Sequence, residues 1–209
     1  MISLEGIEGV GKTTNMDFLE KLLRQKKIDL VRTREPGGTV ISEAIRQILL
    51  RKDDEALLPL TEVLLLYAGR HQHVQHVIQP ALEANKWVLC DRFFDATIAY
   101  QGGGREISVE KILELNKWVL GNFKPNDTII LDAPVPVALE RIQKRKELDR
   151  IEEEKVDFFE RVRAQYLALA EREPKRFWVV DASGDLESVQ KQLEYIVGEI
   201  VLSADTITS

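Results

Sequence analysis

Gly6-Ile7-Glu8-Gly9-Val10-Gly11-Lys12-Thr13 stands directly after the apolar run Ile2-Ser3-Leu4-Glu5 and directly before an amphipathic stretch. It matches G-x-x-x-x-G-K-[ST] in full, with a strand pattern before it and a helix pattern after it. The glycines let the loop wrap so that successive backbone N–H groups and the next helix N-terminus point at phosphate oxygens. Lys12 then reaches the β- and γ-phosphates and Thr13 serves as a ligand for Mg²⁺.

Outward from this cradle, four more short β-rich runs follow: Asp29 to Thr33, Trp87 to Asp91, Thr128 to Asp132 and Phe177 to Asp181. Helical patterns separate them. Met16, Leu19, Leu22 and Leu23 share one face; Ile41, Ile45, Ile48 and Leu49 repeat the pattern, and Val63 to Leu82 extends it. Pro134 and Pro136 open a further helix through Arg145, and Val156 to Ala170 and Leu186 to Leu202 supply two more. Apolar strands alternating with helices predict a three-layer α/β/α fold around a five-stranded parallel sheet. Pro36-Gly37-Gly38 and Gly102-Gly103-Gly104 read as loops.

The chain has 209 residues with Lys+Arg 29 against Asp+Glu 35, a net charge of −6, and 44% hydrophobic and 31% charged residues. These values exclude disorder for most of its length and predict one domain over 1–209. With one cysteine, Cys90, neither an internal disulfide nor a cysteine-based zinc site is available, which fits a reducing cytoplasm. No signal-peptide pattern is visible, and no run approaches the roughly 18 apolar residues of a membrane span. The acidic balance disfavours a nucleic-acid polymer as partner.

A regulatory GTPase would carry an Asn-Lys-x-Asp guanine reader, but Asn116-Lys117-Trp118-Val119 lacks the carboxylate. Its Asp-x-x-Gly switch is met only by Asp181-Ala182-Ser183-Gly184, beyond the place where a switch belongs. A small kinase remains. Asp91-Arg92 closes the third strand, at the edge where ligands sit in open α/β sheets: the carboxylate suits Mg²⁺ and the guanidinium an acceptor phosphate. Arg34-Glu35-Pro36-Gly37-Gly38 follows the second strand in the same way. Tyr67 and Arg70, three apart on a helix, suit a flat base, and Tyr100-Gln101 offers a phenol and an amide. Arg141, Lys144, Arg145, Lys146 and Arg150 form the densest basic run and suit a lid that brings arginine onto the transferring phosphoryl group, at about 141–153. His71, His73 and His76 read as a polar helix surface rather than a metal site, and Cys90 as inert core.

Together these motifs resemble bacterial thymidylate kinases. The resemblance rests on Leu4 to Thr14, Thr33 to Thr39, Asp91-Arg92-Phe93, Ala99 to Arg105 and Leu148 to Glu152. It implies a P-loop kinase fold, usually a homodimer, that passes the ATP γ-phosphoryl group to dTMP with Mg²⁺. It further implies that Gly6, Ile7, Glu8, Gly9, Val10, Gly11, Lys12, Thr13 and Thr14 hold ATP, with Thr13 and Asp91 toward the metal. On the acceptor side it implies Glu8, Arg34, Glu35, Pro36, Tyr67, Arg70, Arg92, Thr97, Tyr100 and Gln101. Tyr67 is expected where the family has a phenylalanine stacking on thymine, Arg70 as donor to a thymine carbonyl, and Thr97 with Gln101 on the pyrimidine edge. Tyr100 is expected to crowd the sugar 2′ position, Arg92 to bind the acceptor phosphate and Glu8 to face the 3′-OH and metal. In the family's bacterial type the cradle lacks a catalytic arginine and the lid provides it; the corresponding cradle position here is Gly9, so the resemblance implies a catalytic arginine among Arg141, Arg145 and Arg150 of the lid, with Lys12 and Arg92 completing the set. The alternatives are a UMP or CMP kinase and a non-catalytic nucleotide-binding module.

Overall fold

The structure, a computed structural model, describes residues 1–52, 54–143 and 148–207, and the side chains of all of these except 143 and 205–207. Five parallel strands, β1 (Ile2–Glu5), β2 (Leu30–Arg34), β3 (Trp87–Asp91), β4 (Asp127–Asp132) and β5 (Phe177–Asp181), form one sheet in the order β2-β3-β1-β4-β5. β1 is buried along its whole length, and β3 and β4 are buried at every position but their ends. β2 is buried only at Leu30 and β5 only at Phe177 and Val180, their other positions being partly or fully exposed. Their place at the sheet edges explains the difference, since an outer strand is covered by helices less fully than a central one.

Helix α1 (Lys12–Gln25) follows the cradle and packs Met16, Leu19 and Leu23 into the core. Leu22 is only partly buried; Asn15 takes the fourth inward position, its amide donating to the Gly11 carbonyl at 3.0 Å. α2 (Val40–Leu50) begins at Thr39, whose hydroxyl accepts from Ser42 N at 3.1 Å. α3 (Pro59–His73) starts with proline, which lacks the N–H that a first turn leaves unsatisfied. It runs through a π-helical stretch, Val74–Ile78, into α4 (Gln79–Glu83).

After β3 come α5 (Phe94–Thr97) and a second π-helical stretch, Ile98–Gly104. The Gly102-Gly103-Gly104 run, expected as a loop, is thus the end of a helical turn. Its glycines admit α8 (Val156–Arg172) at close range: a Cβ on Gly104 would stand 2.4 Å from the Phe158 ring. α6 (Val109–Leu120), which the hydrophobic pattern did not single out, is capped by Ser108, whose hydroxyl accepts from Lys111 N. α7 (Val135–Gln143) and α9 (Leu186–Ile207) complete the layers. Among the described residues no helix is long and apolar enough to cross a membrane.

The topology places the site. β1 and β3 are neighbours, yet the chain leaves β1 toward β2 on one side and leaves β3 toward β4 on the other. Connections diverging from two adjacent parallel strands open a crevice at their C-terminal ends. There the register sets Leu4 beside Asp91 and Asp91 beside Arg34, so the three loops after β1, β2 and β3 converge.

Candidate active site

The cradle is held by its own lysine. Lys12 Nζ donates to the Gly6 and Ile7 carbonyls at 2.9 and 2.8 Å, closing the loop around the α1 N-terminus. Burial, and then the charge of Arg92, draw its ammonium down to about 8. Gly9 has φ 80°, and a Cβ there would lie 2.1 Å from the Ala138 carbonyl oxygen of α7. Only glycine fits, so the loop tip and α7 touch through backbone. Thr13 is exposed on the first turn of α1, and Asp91 Oδ1 is buried without a hydrogen-bond partner. An exposed hydroxyl on the first turn after the cradle and an orphaned carboxylate oxygen at the end of β3 are the donor types that an oxygen-preferring cation such as Mg²⁺ takes.

Beside the cradle Arg92 adopts φ 66°, a left-handed conformation uncommon for a non-glycine residue. The turn directs its guanidinium back to the cradle, where Nη2 donates to Glu8 Oε1 at 2.7 Å. The same group lies 4.7 Å from the Tyr100 ring centre, and Tyr100 donates its hydroxyl to Glu8 Oε2 at 2.6 Å. Burial pushes the Glu8 carboxyl upward, but Arg92 and Lys12 outweigh it and leave Glu8 below the usual range.

A cavity opens from this cluster toward α2 and α3. On its α3 wall Arg70 is buried; Nε donates to Glu35 Oε2 at 2.6 Å, and Nη2 donates to the Phe93 carbonyl and to Thr97 Oγ1 at 3.0 Å. Its Nη1 has no partner. Gln101 Nε2 donates to Glu62 Oε1, and Arg150 Nη2 donates to Glu62 Oε2, each at 2.5 Å. Leu49, Leu66, Phe93 and Ala96 supply apolar wall. An apolar slot with one orphaned donor and one fixed amide suits a small flat heterocycle with polar edge atoms.

Across residues 4–193 the chain matches the family model described as thymidylate kinase. The chain belongs to the thymidylate kinase family. Among curated relatives, the thymidylate kinase of Pseudomonas putida (strain GB-1) is 49% identical over 200 residues, covering 96% of this chain and 95% of its own. That of Teredinibacter turnerae is 49% identical over 193 residues, covering 92% of this chain and 94% of its own. The crystal structure of thymidylate kinase from Ehrlichia chaffeensis superposes with a TM-score of 0.76 at 33% identity, covering 94% of this chain and 97% of that one. The enzyme class is therefore an ATP-dependent nucleoside monophosphate kinase on a P-loop α/β fold.

Within this family frame several expected residues sit elsewhere. Tyr67 does not line the cavity: it is buried, its hydroxyl donates toward the Ile112 carbonyl and Asn116 of α6 at 3.3 Å, and its ring lies 4.8 Å from the Arg70 guanidinium. The wall residue is Leu66, one position earlier, because each helical step turns about 100°. Tyr67 supports Arg70 from behind. Arg34 lies outside the cavity, half-exposed and paired with Glu43 at 2.9 Å, since strand alternation points it away from the inward Glu35. Glu35 and Pro36 do line the cavity, but both Glu35 oxygens are engaged, by Arg70 and by His73 Nδ1 at 3.0 Å. His73, expected on a polar surface, is fully buried and also bonds Thr33 Oγ1 at 2.6 Å.

Arg141 is anchored on the loop after β5, donating to the Ala182 and Ser183 carbonyls at 3.1 and 3.4 Å. Arg150 lines the cavity, donating also to the Leu49 carbonyl at 3.0 Å. Arg145 lies outside the described residues. Two cavity groups went unread in the sequence, Arg46 and Glu62. Ser42, Arg46 and Leu49 share one face of α2, a spacing that would have placed Arg46 beside apolar neighbours. Its Nη1 donates to the Pro36 carbonyl at 3.0 Å. Cys90 is buried, and burial raises its thiol well above the ordinary value.

Proposed function

We propose that this protein transfers the γ-phosphoryl group of ATP to dTMP, giving dTDP and ADP, through one kinase domain whose lid spans about 141–153. The observation that carries the acceptor assignment is the buried, partnerless Arg70 Nη1, on a residue that lines one cavity together with Thr97, Gln101, Glu8 and Arg92. A pyrimidine 4-carbonyl answers the Arg70 donor, and Thr97 and Gln101 stand along the same edge. Arg92 and Arg46 supply cationic charge for the acceptor phosphate, while Tyr100 and Glu8 face the sugar. Gly6 to Thr14 present backbone N–H groups and Lys12 to the donor phosphates.

Reaction is in-line attack of an acceptor phosphate oxygen on the γ-phosphorus, with no covalent enzyme intermediate. The chain's part is positioning and neutralisation of charge, by Lys12, Arg92 and a lid arginine sought among Arg141, Arg145 and Arg150. Mg²⁺, held from Thr13 and Asp91, would offset phosphate charge when bound. A coupled assay of ADP formation across dTMP, dUMP, UMP, CMP and AMP tests the assignment, with dTMP expected to dominate. Preference for UMP or CMP, or no acceptor-dependent ADP at all, would overturn it.

We further propose a homodimer and a cytoplasmic setting. Ile41 and Ile48 of α2, Leu60 and Leu64 of α3 and Leu113 of α6 are exposed by 44% to 62% on three adjacent helices, an apolar face suited to a second copy. Sedimentation equilibrium should give twice the chain mass, and Leu64→Glu should shift it to the monomer.

A further inference from the structure

Among the described residues Gln101 is the one amide that lines the cavity, and an amide reads opposite patterns depending on which end it presents. Its neighbours decide that here. Nε2 donates to Glu62 Oε1 at 2.5 Å, while the second Glu62 oxygen accepts from Arg150 at 2.5 Å and lies 3.8 Å from Arg105. A carboxylate paired with guanidinium groups accepts only, so the amino end of Gln101 must face Glu62. Both residues are buried, Gln101 at 4% and Glu62 at 2% exposure, so their mutual contact is shielded from bulk solvent. Among the described residues no donor reaches the Gln101 carbonyl oxygen, which is left to the cavity.

Resting on the thymidylate reading, we propose that Glu62 is a positioning residue that locks the Gln101 amide carbonyl-inward and so sets selection of 4-oxo over 4-amino pyrimidine acceptors. A 4-oxo pyrimidine offers an N3–H to that carbonyl and a 4-carbonyl to the Arg70 donor. A 4-amino pyrimidine presents a bare N3 lone pair to an acceptor and an amino group to a donor. Both contacts then fail, leaving polar groups of the ligand and the wall unpaired on binding, which is costly. Arg150 gives the lid a part in this selection. It clamps the far oxygen of the same carboxylate, and Glu154, just past the lid, pairs at 2.6 Å with Arg105, whose guanidinium faces that oxygen.

The test is the ratio of kcat/KM for dTMP to that for dCMP. Glu62→Gln places a second amide beside Gln101, frees it to turn over, and should lower the ratio by at least about tenfold. The swap Glu62→Gln with Gln101→Glu keeps the buried charge and volume while presenting only an acceptor to N3. It should restore the ratio to within about threefold of the unaltered enzyme. A merely structural role would lower both substrates in parallel, and an unchanged ratio in Glu62→Gln would overturn the proposal. So would a swap no more selective than the single variant. If Glu62→Gln does not fold, the swap alone decides, retention of the ratio supporting the proposal and its loss overturning it. Absence of dTMP turnover in the unaltered protein would sink both readings and is told apart because it needs no variant.

Discussion

Arg92 carries the site's clearest conflict between stability and function. Its φ of 66° is a conformation that costs a non-glycine residue on the order of 1 kcal/mol or more, and it persists because the turn after β3 must return the guanidinium to Glu8. Arg92→Ala and Arg92→Gly should therefore both lose most turnover, by about 10²-fold or more. In urea denaturation the glycine variant should be the more stable of the two by about 1 kcal/mol, since only it accepts the turn without strain. Equal stabilities would show that the turn is not strained. Lys12 gives a second residue-scale expectation. With its ammonium drawn to about 8 by burial and then Arg92, the free enzyme loses the cation as pH rises past that value. The log of kcat/KM for ATP should bend downward near pH 8, whereas bound phosphate raises the pKa, so kcat should stay level to higher pH. A kcat/KM profile flat to pH 10 would remove Lys12 from the donor site.

At the scale of elements, the π-helical stretch Ile98–Gly104, which carries Tyr100 and Gln101 to the cavity, packs against α8. Tyr100 meets Phe158 and Tyr166 edge to face, with ring centres 6.1 and 6.3 Å apart, and Arg161 donates to the Gly104 carbonyl at 2.8 Å. Gly104→Ala would push a methyl into Phe158, which overpacking data put at about 1–3 kcal/mol. The loss should appear as a lower denaturation midpoint with unchanged m-value, partly recovered by adding Phe158→Leu. Full stability of Gly104→Ala would mean that the two elements are not in close contact. Asp95 and Arg176 fasten the neighbouring elements: two guanidinium bonds of 2.7 and 2.9 Å join α5 to the start of β5 in a buried pair. Breaking such a pair on one side costs about 3–5 kcal/mol, because the remaining charge stays buried.

For the whole molecule, pH reaches stability through Glu5, fully buried at the end of β1. It accepts from Phe93 N at 2.7 Å and the Tyr166 hydroxyl at 2.8 Å, while burial, and then the charge of Asp95, push its carboxyl up to about 8. The folded protein thus keeps a proton that the unfolded chain releases near 4.5. Stability from this group is full below the unfolded value and is lost as pH rises toward 8. Glu5→Gln should flatten the fall in Tm between pH 5 and pH 8, and a fall of unchanged steepness would rule out Glu5 as its source.

The α/β class, the cradle and the strand ends bearing Asp91 and Arg92 were legible in the sequence because each is local: a phosphate loop needs its glycines and lysine in one short run, and strands and helices carry distinct periods. The chain of Arg70, Glu35 and His73, the shift from Tyr67 to Leu66, the outward course of Arg34 and the Glu62 hub were not. Each depends on which side of an element faces a neighbour far along the chain, and one helical step of about 100° is enough to exchange a wall residue for a core residue. By itself the sequence determined the fold class, the phosphate-binding chemistry and the family resemblance. Only the tertiary structure decided which of these groups meet in one cavity and which of their atoms have no partner within the protein, because burial and hydrogen-bond satisfaction are settled by packing across elements rather than by spacing within them.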